Sequence, residues 1–310
     1  MLHCLPYSDK KYRYQTKLTH ISDEEMRNLK TGPFFKWYHR VYQIITFFIF
    51  FGPIRLVGMI LSFVLTGAFL VIITPVLKKF NSFNDKSRHV AISIARVGLR
   101  IFLWSLGVGW ISVEGDFDSD ARFLICNHVG LLDPLIMIYI RYVIFVVKKE
   151  FTKVPIIKEI IDIVDPFYVD RSKNCGQTQE IIKIAQNKNK DQIMIFPEGT
   201  VSNGKYMLLF HKSAFLSNCK VQPIVMQFWT PFLPKGWNTF SWLSQGTLEL
   251  LWDQLSIPLS LCKIKVLSPI TPSSTNKDIN SLASEAQLKM ANELGIQAID
   301  RSSNEIFKLK

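Results

Sequence analysis

From Val41 to Leu77 the chain is almost wholly apolar, interrupted only by Gly52-Pro53-Ile54-Arg55. As a helix, Leu56 to Leu77 runs about 33 Å, enough to cross the hydrocarbon core of a bilayer, whereas Val41 to Phe51 runs about 16 Å and cannot cross alone. Two geometries fit: one transmembrane span, or a helical hairpin that dips into one leaflet and turns at Gly52-Pro53. Lys36 and Arg40 precede the run, and Lys78, Lys79, Lys86 and Arg88 follow it. Positive charge on both flanks favours the hairpin, with both ends on the cytosolic side. A third apolar stretch, Ile101 to Ile111, follows Arg96 and Arg100 at helical spacing and predicts an interfacial helix.

After the acidic turn Asp116, Asp118 and Asp120, the pattern changes to short apolar runs alternating with helix-length segments, which predicts βαβ units. Strands are expected over Phe123–Cys126, Phe167–Val169, Gln192–Phe196, Val221–Phe228 and Leu261–Leu267. In the last of these, Lys263 and Lys265 alternate with Ile264 and Val266 as on a half-exposed edge. Helices are expected over Pro134–Val147, Gln177–Gln186 and Ser281–Leu294, the last ended by Gly295.

The net charge of +12 is uneven: residues 1–110 carry 15 Lys and Arg against 5 Asp and Glu, and the remainder carries 22 against 20. The basic excess coincides with the apolar runs, so attraction to anionic lipid headgroups explains it better than nucleic acid does, and no nucleic-acid motif accompanies it. Residues 1–40 are polar and basic and predict no secretory signal peptide. Five cysteines without a Cys-x-x-Cys pair argue against a disulfide framework and a structural metal, and for a reducing, cytosol-facing environment.

The candidate chemistry lies just after the apolar strands. In Asn127-His128-Val129-Gly130-Leu131-Leu132-Asp133-Pro134, a continuous helix would set His128 and Asp133 about 140° apart. A turn must intervene. Gly130 permits an unusual backbone angle, and Asp133-Pro134 reads as an N-cap followed by Pro at the first helical position. The Asp133 carboxylate can then fix the His128 tautomer and stabilise its imidazolium, leaving the second nitrogen to take a proton. A His-x4-Asp spacing also arises by chance, so its context matters. Phe196-Pro197-Glu198-Gly199-Thr200 follows another buried strand, and open α/β sheets bind ligands at such strand ends. Glu198 alone would equally serve as a helix cap. Between them, Tyr168-Val169-Asp170-Arg171 offers a guanidinium suited to bidentate phosphate binding, or to an ordinary surface ion pair. Lys148, Lys149 and Lys153 are candidates for further phosphates, or simply a solvated basic face.

The order His-x4-Asp, Asp-Arg after a strand, Phe-Pro-Glu-Gly-Thr, and Val221-Gln222-Pro223-Ile224 resembles the four blocks of glycerolipid acyltransferases, across residues 115–230. Phe51-Gly52-Pro53-Ile54-Arg55, Phe210–Phe215 and Met290–Ile296 are similar to the lysophosphatidylcholine acyltransferase branch. Val201, Ser213 and Asp165 depart from it, standing where Arg, Gly and Gly are usual. Some members of that branch carry EF-hands further along, and none is expected here.

The resemblance implies an α/β fold, a mixed sheet with flanking helices behind the hairpin or span. Residues 1–40 are expected as a basic cytosolic segment, 41–112 as membrane anchor and interfacial helices, and 113–310 as the acyltransferase domain. It further implies His128 as general base, Asp133 as its orienting partner, Arg171 on the acceptor phosphate, and Glu198, Gly199 and Thr200 lining the acceptor site. By the same resemblance acyl-CoA is expected as a co-substrate, with no cofactor or metal. The expected partners are acyl-CoA, a lysophospholipid and membrane lipids, on a membrane such as the endoplasmic reticulum with the site facing the cytosol. Acceptors of the lysophosphatidic acid or glycerol-3-phosphate type are the alternative. A serine lipase would need a Gly-x-Ser-x-Gly elbow, which the chain lacks. A non-catalytic lipid-binding protein leaves three polar blocks at strand ends unexplained.

Overall fold

The short apolar strand runs that lack alternation, such as Phe123–Cys126, are buried from both sides. The computed structural model describes residues 14–31, 37–80, 82–153, 155–169, 177–230, 240–241, 243, 246–272 and 278–308. In chain order its elements begin with α1 (Asp23–Asn28), α2 (Trp37–Ile49), α3 (Gly52–Lys79), α4 (Asp85–Ser105), β1 (Val108–Glu114), β2 (Phe123–Cys126) and α5 (Leu132–Ile140). There follow β3 (Val143–Lys148), α6 (Pro155–Asp162), β4 (Phe167–Val169), α7 (Gln177–Gln186), β5 (Gln192–Ile195) and β6 (Tyr206–Met207). The chain continues through β7 (Val221–Trp229), α8 (Thr247–Ser256), β8 (Ser260–Val266), α9 (Ile279–Leu294), β9 (Gln297–Ala298) and α10 (Ser303–Lys308).

The seven-stranded sheet has the order β1-β8-β7-β2-β5-β3-β4. Strands β7, β2, β5, β3 and β4 run parallel, so their C-terminal ends share one edge. Strand β8 is antiparallel to β7 and β1 is parallel to β8, which makes the sheet mixed. Each central strand feeds two cores. Leu124 and Cys126 face Leu103, Leu132 and Ile136 of α4 and α5, while Phe123 and Ile125 face Ala286 and Met290 of α9 on the other side. With both faces covered, β2 is apolar throughout.

Several local expectations change. Pro134–Val147 is not one helix: α5 stops at Ile140, and the β-branched run that follows forms β3. Ile101–Ile111 is divided between the end of α4 and the start of β1. Because β1 takes the edge, β8 is interior, and its lysines are held by Glu114 and Glu293, with Lys263–Glu114 and Lys265–Glu293 both at 2.7 Å. The turn between α2 and α3 lies at Phe50-Phe51, with Phe51 at φ 57°, and Gly52-Pro53 opens α3. Proline in the first helical turn lacks only an N–H that would have no intrahelical partner. Asp165, in place of the expected Gly, adopts φ 49°, which Asp tolerates better than most residues, and pairs with Lys190 at 2.8 Å.

Helix α3 lies along the domain. Near its start Gly58 faces Ser105, at its middle Gly98 of α4 leaves room for Thr66, and at its end Lys78 meets Asp162 of α6 at 2.5 Å. Its opposite side exposes Ile54, Val57, Leu61, Val64, Leu65 and Ile72.

Much of the basic charge in this region has structural duties. Arg88 is buried beside Asp85 and Asp191 and donates to Ile163 O. Arg96 donates to Ile138 O at 2.9 Å, and Arg100 to Val108 O at 3.0 Å. Arg55 is fully buried, and its guanidinium donates to Ser105 O at the end of α4 and to Gln254, Leu255 and Ile257 O at the end of α8. One planar fork thus serves the last carbonyls of two helices, which have no intrahelical donors. Replacing Arg55 by Ala should cost at least about 3 kcal/mol, because those carbonyls lose a charged donor. Thermal unfolding in detergent should show the midpoint falling by roughly 5–10 °C. Lys should restore only part of this, and an unchanged midpoint in the Ala variant would refute the bracing role.

Candidate active site

The site is built on the pairing of β2 with β5. Ile125 stands opposite Ile195, and His128 and Glu198 each follow three residues beyond that pair. Register alone therefore brings the two loops side by side. Asn127 locks the first loop to β7, its amide donating to Met226 O at 3.0 Å and accepting from Met226 N at 2.8 Å.

Beyond Asn127 the chain turns about Asp133. Its Oδ2 accepts hydrogen bonds from Val129 N at 2.7 Å, Gly130 N at 2.9 Å and His128 Nδ1 at 2.9 Å. Asp133 is not the N-cap: α5 begins at Leu132 after Leu131, and the carboxylate reaches back over the preceding turn. Gly130 does not need a positive φ. It needs to be small, because a Cβ there would overlap the carbonyl oxygen of Phe240.

The hydrogen bond to Asp133 requires the proton on Nδ1, so Nε2 of His128 carries the basic lone pair. The ring stacks on Phe196 with centroids 4.3 Å apart, and its side chain is 21% exposed against 0% for Asp133. It is a held base with one open nitrogen. The preceding thiol, Cys126, is no rival nucleophile, since burial and then the nearby Asp133 carboxylate push its pKa well up.

Glu198 holds the second loop. Its Oε1 accepts from His128 N at 3.2 Å and its Oε2 from Leu208 N at 3.1 Å. Both oxygens are used by backbone, so Glu198 acts on the site through the loops it joins. Burial raises its carboxyl from 4.5 to about 7, against the two backbone N–H groups that favour the charged form. Gly199 has φ 69°, and a Cβ there would press on His211 Nε2 at 2.6 Å. Thr200 Oγ1 accepts from Lys30 Nζ at 2.6 Å.

The structure thus gathers His128, Asp133, Glu198, Gly199 and Thr200 at one strand edge. Arg171 lies outside the described residues, just past the end of β4. Lys149 and Lys153 are exposed on the short 3₁₀ turn after β3, and Lys148 ends that strand. Among the described residues, no group of three or more His, Cys, Asp and Glu is placed to hold a metal ion. Sequence reasoning passed over Asn127, Phe196 and Lys30. The first two lie within the segments it singled out, whereas Lys30 carries no sequence signal.

A family model described as Acyltransferase matches residues 113–227. The chain is 32% identical over 214 residues to lysophosphatidylcholine acyltransferase 1 of Danio rerio, covering 66% of this chain and 40% of that protein. It is 34% identical over 162 residues to lysophosphatidylcholine acyltransferase 1 of Homo sapiens, covering 50% and 29% respectively. The chain therefore spans well under half the length of these relatives. The crystal structure of the 1-acyl-sn-glycerophosphate acyltransferase PlsC from Thermotoga maritima overlaps 77% of this chain and 97% of its own, with 19% identity and a TM-score of 0.49.

The Glu198 carboxyl makes stability depend on pH in a direction opposite to that of a paired carboxylate. The unfolded chain releases this proton near pH 4.5, and the fold holds it to about 7. Its stabilising contribution is therefore complete below pH 4.5 and is lost as pH rises through 7, by about 3 kcal/mol in all. Chemical denaturation from pH 5 to 8 should show this fall in the wild type and a flatter profile in Glu198→Gln. Parallel profiles would exclude a raised Glu198.

Proposed function

We propose that this chain, whose residues 113–227 match the Acyltransferase family model, transfers an acyl group from acyl-CoA to the free hydroxyl of a lysophospholipid, of the lysophosphatidylcholine type. The observation that carries the reading is the His128–Asp133 pair, with Nε2 open at the C-terminal edge of parallel strands. His128 Nε2 takes the proton of the acceptor hydroxyl as its oxygen attacks the thioester carbonyl carbon. The tetrahedral oxyanion collapses with cleavage of the carbon–sulfur bond. The CoA thiolate then recovers the proton from the imidazolium, whose charge Asp133 has stabilised. The backbone N–H groups of Val129 and Gly130 are engaged by Asp133, so the oxyanion draws on other donors. The resemblance assigns the acceptor phosphate to Arg171 and the acceptor wall to Glu198, Gly199 and Thr200. The names of the relatives favour lysophosphatidylcholine over lysophosphatidic acid or glycerol-3-phosphate as acceptor.

The same reading puts the protein on a membrane, held by α2 and α3. Helix α3 has 28 residues and is the one described helix long and apolar enough to cross. Its alignment along α4 and α6 favours a hairpin embedded from one side, because a crossing α3 would drag the buried Arg88 and its carboxylates with it. Such an anchor resists extraction by salt or alkali, and release by salt alone would contradict it.

In a panel of acceptors offered with one acyl-CoA, lysophosphatidylcholine should be acylated fastest. His128→Ala should lower turnover by roughly 10²- to 10⁴-fold in folded, membrane-bound protein, and Asp133→Asn should be severely impaired as well. Near-full activity of folded His128→Ala would remove the mechanism. Arg171→Ala should lower kcat/KM for the lysophospholipid by roughly 10- to 100-fold and leave a phosphate-free monoacylglycerol almost unaffected. If acyl-CoA saturation weakens instead, Arg171 belongs to the donor site.

A further inference from the structure

The N-terminal segment before the apolar run packs on the loop that follows Glu198. Met26 and Leu29 are fully buried in a cluster with Tyr206, Leu208, Ile299 and Ile306. Asn203 N donates to Leu29 O at 3.1 Å, its side-chain amide donates to Asn28 O at 3.1 Å, and Tyr206 Oη donates to Glu25 at 2.9 Å. Arg301 anchors the other end through Asp23 at 2.6 Å and Ile21 O at 3.1 Å. The end of α1 therefore has one placement, and Lys30 leaves it toward the loop.

From there two routes reach His128. Lys30 Nζ donates to Thr200 Oγ1 and to Val201 O. On the far side of that same peptide, Ser202 N donates to His128 O at 3.4 Å. The second route runs through Leu208, whose side chain lies in the cluster with Met26 and Leu29 and whose N–H donates to Glu198. The other oxygen of Glu198 accepts from His128 N. Both backbone polar groups of His128 thus rest on groups that the N-terminal segment supports. A peptide whose oxygen faces an ammonium is more polarised, and its N–H is the better donor.

We propose that Lys30 is a positioning residue for the catalytic base: by gripping the Val201–Ser202 peptide it fixes the backbone of His128, and with it the direction of Nε2. This rests on the acyl-transfer reading given above. Nothing in the proposal requires Lys30 to touch either substrate.

Two variants separate positioning from simple support. Lys30→Met keeps length and apolar stem but loses the charge and its donors, while Lys30→Arg keeps both. In full-length protein in mixed micelles of detergent and lysophosphatidylcholine, Lys30→Met should lower kcat by roughly 10- to 100-fold, with KM for both substrates changed by less than about threefold. Lys30→Arg should recover most of the loss, and the unfolding midpoint should barely move. A fall in midpoint with kcat intact would make Lys30 a fold support only. A rise in KM for the lysophospholipid alone would make it a headgroup ligand, and either result overturns the proposal. Amide hydrogen exchange gives an arm independent of the reaction. In Lys30→Met the amides of 127–130 and 200–203 should exchange faster together, and unchanged exchange in both segments refutes the proposal even if the protein acylates a different acceptor.

Discussion

Oδ2 of Asp133 collects three hydrogen bonds, from two successive backbone N–H groups and from the ring of His128. A buried carboxylate is tolerable only with such a set of donors, and the donors in turn bend the chain into the turn that brings His128 back over α5. The interaction folds the loop and prepares the base in one step. An Asn here offers one carbonyl oxygen but no charge for the imidazolium that the proposed transfer would form. The rest of the site keeps this turn in place: Asn127 pins it to β7, Glu198 holds its first N–H, and Phe196 covers the ring.

The apolar helices join this machinery through arginines. Arg55 links the start of α3 to the ends of α4 and α8, Arg96 ties α4 to α5 and Arg100 ties it to the start of β1, and Arg88 fixes the base of α4 against Ile163 and Asp191. Each guanidinium serves carbonyls or carboxylates at or near the buried interior. The basic excess of the first third is thus spent partly inside the structure, which leaves less of it for the lipid surface than a count of charges implies. The exposed residues of α3 lie opposite its contacts with α4.

What could be read from the chain was what local pattern carries. β2 is wholly apolar and β5 is apolar after Gln192, and each is followed within three residues by polar side chains, so both the strands and the candidate site at their ends were legible. The His128–Asp133 contact was legible because a helix could not make it and a Gly-containing turn could. Val143–Val147 was absorbed into the preceding helix because continuous apolar runs do not distinguish strand from buried helix; the β-branched residues after Arg141 were the available clue. With β1 hidden in the same way, β8 looked like an edge. Lys30 was beyond reach, since its partner lies 170 residues away and neither residue stands in a periodic pattern. Glu198 stood out in its motif, but its commitment to two backbone N–H groups depends on where Leu208 falls.

A direct attack by the acceptor hydroxyl, with His128 as base, means that no acyl group is ever parked on the protein. Free CoA should therefore appear only when acceptor is present, and in equal amount to the diacyl product. The decisive measurement is rapid-quench release of CoA thiol from acyl-CoA mixed with stoichiometric protein, with and without lysophosphatidylcholine. The account predicts no burst without acceptor and one thiol per diacyl lipid with it. A burst of CoA equal to the protein concentration in the absence of acceptor would mean a covalent acyl-enzyme, and a different role for His128.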